Sequence, residues 1–137
     1  MSDAHTLRRE VDAESGMSGA SRRILIVEDH EDTLEITAKL LRTMKYHVKT
    51  ASTMTAALRA AENESFDILI SDIALPDGSG LDLLQTLARA KPIKGIAMSG
   101  YGLDSDIARS REAGFLEHLT KPVDLPKLVT VIERLAG

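Results

Sequence analysis

The chain has 137 residues, enough for one ordinary domain and too few for two with separate cores. Hydrophobic residues make up 43% and charged residues 28%, a globular composition; 17 basic against 21 acidic side chains leave a net charge of −4, which argues against binding DNA or RNA through phosphate neutralisation. The absence of cysteine excludes disulfides, thiolate metal sites and cysteine nucleophiles, and aromatic residues at 3% exclude a stacking platform for bases.

In chain order, the opening MSDAHTLRRE lacks the apolar core of a secretory signal, and no apolar run approaches the roughly 18 residues of a membrane span. A cytoplasmic protein with no membrane segment is expected. Residues 1–21 are rich in Ser, Gly, Ala and charge, with Leu7, Val11 and Met17 as the main apolar side chains. Such a stretch cannot offset its ordering entropy by burial, so it reads as a flexible tail or linker. The alternative is a short partner-binding helix around Thr6 to Val11.

The domain is expected over residues 22–137. Ile24-Leu25-Ile26-Val27, Ile68-Leu69-Ile70 and Ile93 to Met98 are short continuous apolar runs, as in strands covered on both faces. Tyr46 to Ala51 and Phe115 to Leu119 fit two weaker strands. Helical patterns lie between them. Leu34 to Met44 follows an acidic first turn, and Ile36, Leu40 and Met44 at i, i+4, i+8 are expected to face the sheet, with Leu34, Ala38 and Leu41 as a neighbouring line. Thr53 to Asn63 is Ala-rich, with Ser52 or Thr53 as its cap. Leu81 to Ala90 follows a Gly-Ser-Gly turn, Asp104 to Ala113 ends at Gly114, and Leu125 to Leu135 carries Pro126 in its first turn. Five alternations of strand and helix predict an α/β fold, a doubly wound (βα)5 flavodoxin-like three-layer sandwich. Its parallel five-stranded sheet takes the order 2-1-3-4-5, with ligands at the strands' carboxyl ends.

Those ends carry Glu28-Asp29, Asp72, Ser99 and Lys121. Singly they are weak signals: acids after a strand suit a helix start, Ser-Gly suits a turn, and a lone Lys suits a solvated surface. Together they place three carboxylates, a hydroxyl and an ammonium on one rim. Three clustered acids shift toward protonation unless a cation joins them, and Mg²⁺ tolerates few protein ligands beside water and phosphate. Lys121 adds a compact positive charge and Ser99 a donor, which is equipment for a phosphoryl group.

With these residues in place, the chain resembles the receiver domain of two-component response regulators. The resemblance is carried by Ile24-Leu25-Ile26-Val27-Glu28-Asp29, by Asp72-Ile73-Ala74-Leu75-Pro76-Asp77-Gly78, by Met98-Ser99-Gly100-Tyr101-Gly102 and by Leu119-Thr120-Lys121-Pro122, in the family's order. It implies that Asp72 accepts the phosphoryl group. It also implies that Glu28, Asp29, Asp72 and the backbone carbonyl of Ala74 hold Mg²⁺, and that Ser99 and Lys121 contact the phosphoryl oxygens. The implied partner is a histidine kinase or histidine phosphotransfer domain. The resemblance further implies a cis Lys121–Pro122 bond aiming Lys121 inward. The position three before Lys121, usually Tyr or Phe in the family, is His118 here, and its context is similar to receivers of hybrid sensor kinases. His118 is either a switch residue or a plain strand-end imidazole. Leu34, apolar and near Glu28-Asp29, is a candidate docking residue for the partner, or simply core. Tyr101 is a candidate shield that sets the phosphoryl lifetime. The competing readings are a receiver fragment of a hybrid kinase and an aspartyl-phosphate phosphatase. The phosphatase usually needs a second Asp at the position Ala74 occupies.

Overall fold

The computed structural model describes residues 22–100 and 104–137. The expected tail, residues 1–21, and Tyr101 therefore lie outside the described residues. The elements are β1 (Arg23–Val27), α1 (Glu31–Thr43), β2 (His47–Ala51), α2 (Met54–Asn63), β3 (Ile68–Asp72), β4 (Ala74–Leu75), β5 (Gly78–Ser79), α3 (Gly80–Ala90), β6 (Lys94–Ser99), α4 (Asp104–Ala113), β7 (Phe115–Thr120) and α5 (Leu125–Ala136).

The main sheet is parallel in the order β2-β1-β3-β6-β7, the expected 2-1-3-4-5 once the small β4–β5 hairpin is set aside. Side chains alternate across each strand, so a strand between two helical layers is apolar throughout. Ile24 and Ile26 of β1, with Ile68 and Ile70 of β3, pack under α1 and α5. Leu25 and Val27 point the other way, where Leu69 joins Ala57 and Ala60 of α2 and Leu83 and Leu84 of α3. Gly114 at φ 110 turns the chain out of α4 into β7, a backbone conformation glycine adopts freely.

Local chemistry explains the helix starts. Thr53 accepts from the Ala56 N–H, Ser79 from the Leu81 N–H and Asp124 from the Lys127 N–H. The face of α1 differs from expectation. Leu34, Thr37, Ala38 and Leu41 are buried, whereas Ile36 is 58% exposed and Leu40 and Met44 are half-buried. Each i+4 step advances about 40° around a helix, so the Ile36–Leu40–Met44 line spirals away. The i, i+4, i+7 line of Leu34, Ala38 and Leu41 stays nearly straight along the sheet. No helix among the described residues is long and apolar enough to cross a membrane.

Candidate functional site

The strand ends form one rim, as topology requires of a parallel sheet. Glu28 follows β1, Asp72 closes β3, Ser99 closes β6 and Lys121 follows β7. Short backbone bonds fix their relative positions. Glu28 N–H donates to Ala51 O at 3.1 Å, Ile73 N–H to Met98 O at 2.9 Å, and Lys121 N–H to Ser99 O at 2.7 Å. Gly80, where α3 begins, is pressed against the Asp72 backbone, and a Cβ there would overlap the Asp72 carbonyl oxygen. The Lys121–Pro122 bond is cis, as expected.

Glu28 and Asp72 are 1% and 4% exposed, while Asp29 is open to solvent. One carboxylate oxygen from each of the three lies within 4.8 Å of the others. Lys121 Nζ reaches into this cluster, 2.6 Å from Asp72 Oδ1 and 2.9 Å from Glu28 Oε1, and donates a hydrogen bond to Glu28 Oε2 at 3.2 Å. Glu28 Oε2 also accepts from the His30 N–H at 3.0 Å. Glu28 Oε1 and Asp72 Oδ1, however, have the ammonium's charge nearby but no hydrogen-bond partner of acceptable angle. Burial pushes the Asp72 carboxyl up to about 7, its contact with Glu28 adds to the rise, and Lys121 only partly opposes it. Burial raises Glu28 too, but contacts with Asp72, Lys121 and the His30 backbone outweigh it and hold Glu28 below the ordinary carboxylate range. For Lys121 burial acts downward, and the two carboxylates overcome it, so the ammonium is held firmly charged. Of the buried pair, Asp72 is therefore the carboxyl that takes up a proton first as the pH falls.

The donor set suits a small hard cation. It is all oxygen, it carries three acids against one ammonium, and it holds two buried carboxylate oxygens without hydrogen bonds. Asp29, Asp72, Ala74, Ser99 and Lys121 all line one open cavity of about 560 Å³. Ser99 Oγ lies 2.9 Å from His118 Nε2, within hydrogen-bond distance. Leu34 is 7% exposed and belongs to the core; the exposed apolar side chain of α1 is Ile36, not Leu34. Both line a second cavity, about 460 Å³, which Glu28, His30, Lys121 and Pro122 also border.

Two features had no role assigned to them from the sequence. Asp106 and Arg109, ion-paired at 3.6 Å on α4, line the wall of the larger cavity. Asp77, at the tip between β4 and β5, accepts from Met54 N–H at 2.7 Å, Thr55 N–H at 2.9 Å and Thr55 Oγ at 2.7 Å. It ties the segment carrying Ala74 to the start of α2. A turn Asp and a helix-start Thr are ordinary in isolation, and only their meeting across 22 positions makes the anchor.

Residues 24–133 match the response regulator receiver domain family. Over 108 residues the chain is 37% identical to the response regulator protein PilR of Pseudomonas aeruginosa, covering 78% of this chain and 24% of PilR. It is 30% identical over 118 residues to an uncharacterised 14.6 kDa protein of Leptolyngbya boryana, covering 84% of this chain and 90% of that protein. The chain thus spans about a quarter of PilR but nearly all of the second relative. Among solved structures it resembles a CheY-like response regulator receiver domain protein from Methanospirillum hungatei, with a TM-score of 0.79 and 34% identity over 84% of this chain and 93% of that one. The non-phosphorylated HemR receiver domain of Leptospira biflexa gives 0.79 and 29% over 85% and 95%. With the matched family spanning both core layers and all four strand ends, this chain belongs to the response regulator receiver domain family.

Proposed function

We propose that the domain takes a phosphoryl group from a phosphohistidine onto Asp72, with Mg²⁺ held by Glu28, Asp29, Asp72 and the Ala74 carbonyl. The observation that carries this is the Asp72 carboxyl itself. It is 4% exposed, crowded by Glu28 and within 2.6 Å of the Lys121 ammonium. A carboxylate kept in so costly a place is a reagent or a ligand rather than a stabilising contact. Bound Mg²⁺ would supply positive charge against the acid cluster and the incoming phosphoryl oxygens. An Asp72 oxygen then forms a bond to phosphorus as the donor's N–P bond breaks, and the electron pair leaves with the imidazole. Lys121, half-buried and already beside Asp72, balances the charge that Asp72 loses to the acyl phosphate and holds a phosphoryl oxygen. Ser99 supplies a hydroxyl donor from the neighbouring strand end. The product adds about −1.5 to −2 charges to this rim, enough to bias the loops that bear it.

The donor is a histidine kinase or a histidine phosphotransfer domain, acting in the cytoplasm and docking on α1, where Ile36 presents an apolar side chain beside the smaller cavity. The domain assists its own phosphorylation and has no kinase chemistry of its own. The test is incubation with acetyl phosphate and Mg²⁺, read by intact mass. One added phosphoryl group on the wild type and none on Asp72→Asn supports the assignment. Labelling of the Asn variant, or of the wild type with Mg²⁺ chelated, refutes it.

A further inference from the structure

The Ala74 carbonyl is a backbone group, so its aim depends wholly on the segment that bears it. That segment is a hairpin in which Ala74 pairs with Ser79 and Leu75 with Gly78. A two-stranded ribbon of this size has little stability of its own. Its base is held to the main sheet, with Ile73 N–H donating to Met98 O at 2.9 Å and Gly80 N–H to Ile73 O at 2.8 Å. Its tip is held by Asp77. One carboxylate oxygen accepts from the Met54 N–H at 2.7 Å, and the other from the Thr55 N–H at 2.9 Å and Thr55 Oγ1 at 2.7 Å. These bonds are charge-assisted, and an acid at a helix N-terminus is favoured by the helix dipole. Gly78 lies so close to Met54 that a Cβ there would overlap the sulfur.

The same turn also fixes the far side of the acid cluster. Ala51, at the end of β2, accepts from the Glu28 N–H at 3.1 Å. Residues 51–55 therefore hold the Glu28-Asp29 segment through Ala51 and the Ala74 hairpin through Met54 and Thr55. We infer that Asp77 is a positioning residue for the metal site, locking the Ala74 hairpin to the turn between β2 and α2 and so setting the span between the two sides of the cluster. The inference rests on the reading of the Ala74 carbonyl as a Mg²⁺ ligand. Asp77 itself touches neither metal nor phosphoryl group. The coupling is reciprocal: an anchor that tightens Mg²⁺ binding is itself tightened by bound Mg²⁺.

Losing a partner that orients a metal ligand commonly lowers affinity ten- to a hundredfold. Asp77 acts on a single ligand, so Asp77→Ala should weaken calorimetric Mg²⁺ binding by about tenfold. Thr55→Val removes only the hydroxyl donor and should weaken it in the same direction by a smaller factor. Thr53→Ala removes the cap of α2 without touching the hairpin; it should lower the urea midpoint and leave Mg²⁺ affinity unchanged. Amide hydrogen exchange reads the reciprocal effect in the wild type. Mg²⁺ should slow exchange at Met54 and Thr55 by more than at Ala60, later in the same helix. Wild-type Mg²⁺ affinity in both Asp77→Ala and Thr55→Val, equal weakening in Thr53→Ala, or no greater slowing at Met54 and Thr55 than at Ala60 would each overturn the proposal. Should Asp77→Ala fail to fold, Thr55→Val and the wild-type exchange decide it. A wild type that binds no Mg²⁺ refutes the metal reading itself, before any variant is compared.

Discussion

Replacing Asp72 with asparagine removes the ionisable group that the fold accommodates least well. In the folded protein its carboxyl is raised from 3.8 to about 7, first by burial and then by Glu28. At 1.36 kcal/mol per tenfold change in proton affinity, that displacement costs about 4 kcal/mol when the group is ionised. Part is returned by Glu28, whose own carboxyl moves in the opposite direction. Asp72→Asn should therefore be more stable than wild type by about 2–3 kcal/mol at pH 8 without Mg²⁺, a shift on the order of 10 °C in Tm. The pH dependence has a definite sign. An acid with a raised folded pKa lowers stability progressively as pH climbs from its unfolded value toward 7, and the full penalty applies above 7. The gap between variant and wild type should then stay near its full size down to about pH 7 and shrink from there toward pH 4. Urea unfolding followed by far-ultraviolet circular dichroism at pH 8, 6 and 4.5 measures this. Saturating Mg²⁺ should also narrow the gap, because it stabilises only the ionised site. An asparagine variant no more stable than wild type at pH 8, or a gap that persists at pH 4.5, would refute the reasoning.

The same proton competes with the metal, so calorimetric Mg²⁺ affinity should rise as pH increases toward 7, by at most about tenfold per pH unit, and level off above it. Gly80→Ala should destabilise the fold by roughly 1–3 kcal/mol in urea titrations, since its methyl would overlap the Asp72 carbonyl oxygen. Ile36→Asp should slow phosphotransfer from a histidine partner while leaving acetyl phosphate labelling and the urea midpoint unchanged, because Ile36 is 58% exposed. Leu34→Asp, by contrast, should unfold or severely destabilise the domain. Asp77→Ala should lower the urea midpoint at neutral pH. Its hydrogen bonds to Thr55 and to the Met54 N–H hold the Asp77 carboxyl below its ordinary value, so the stabilisation is present above that value and disappears as the pH falls through the lowered one.

Much of this protein was legible in its residues. Continuous apolar strands such as Ile24 to Val27 signal burial on both faces, and that demands helices on each side. Parallel strands demand crossovers, and the order of strands and helices then places every strand end on one rim. Glu28, Asp29, Asp72, Ser99 and Lys121 could be nominated on that logic because strand termini are local features of the chain. The phase of α1 could not. Ile36 and Leu34 are equally apolar, and only the line that runs straight along the sheet is buried, with Ala38 allowing close approach.

Contacts between distant positions were beyond the sequence for the same reason. A hydrogen bond depends on register, and the irregularity between Gly95 and Ile96 helps set which β7 residue lies beside Ser99. His118 could thus be noticed as unusual, but its bond to Ser99 followed only from the paired strands. Asp77 and Thr55 became an anchor only when the hairpin folded over the start of α2. The raised Asp72 carboxyl has the same origin. Residue type says that an acid is present, while its proton affinity is set by what excludes water and by which charges the fold brings within a few ångströms.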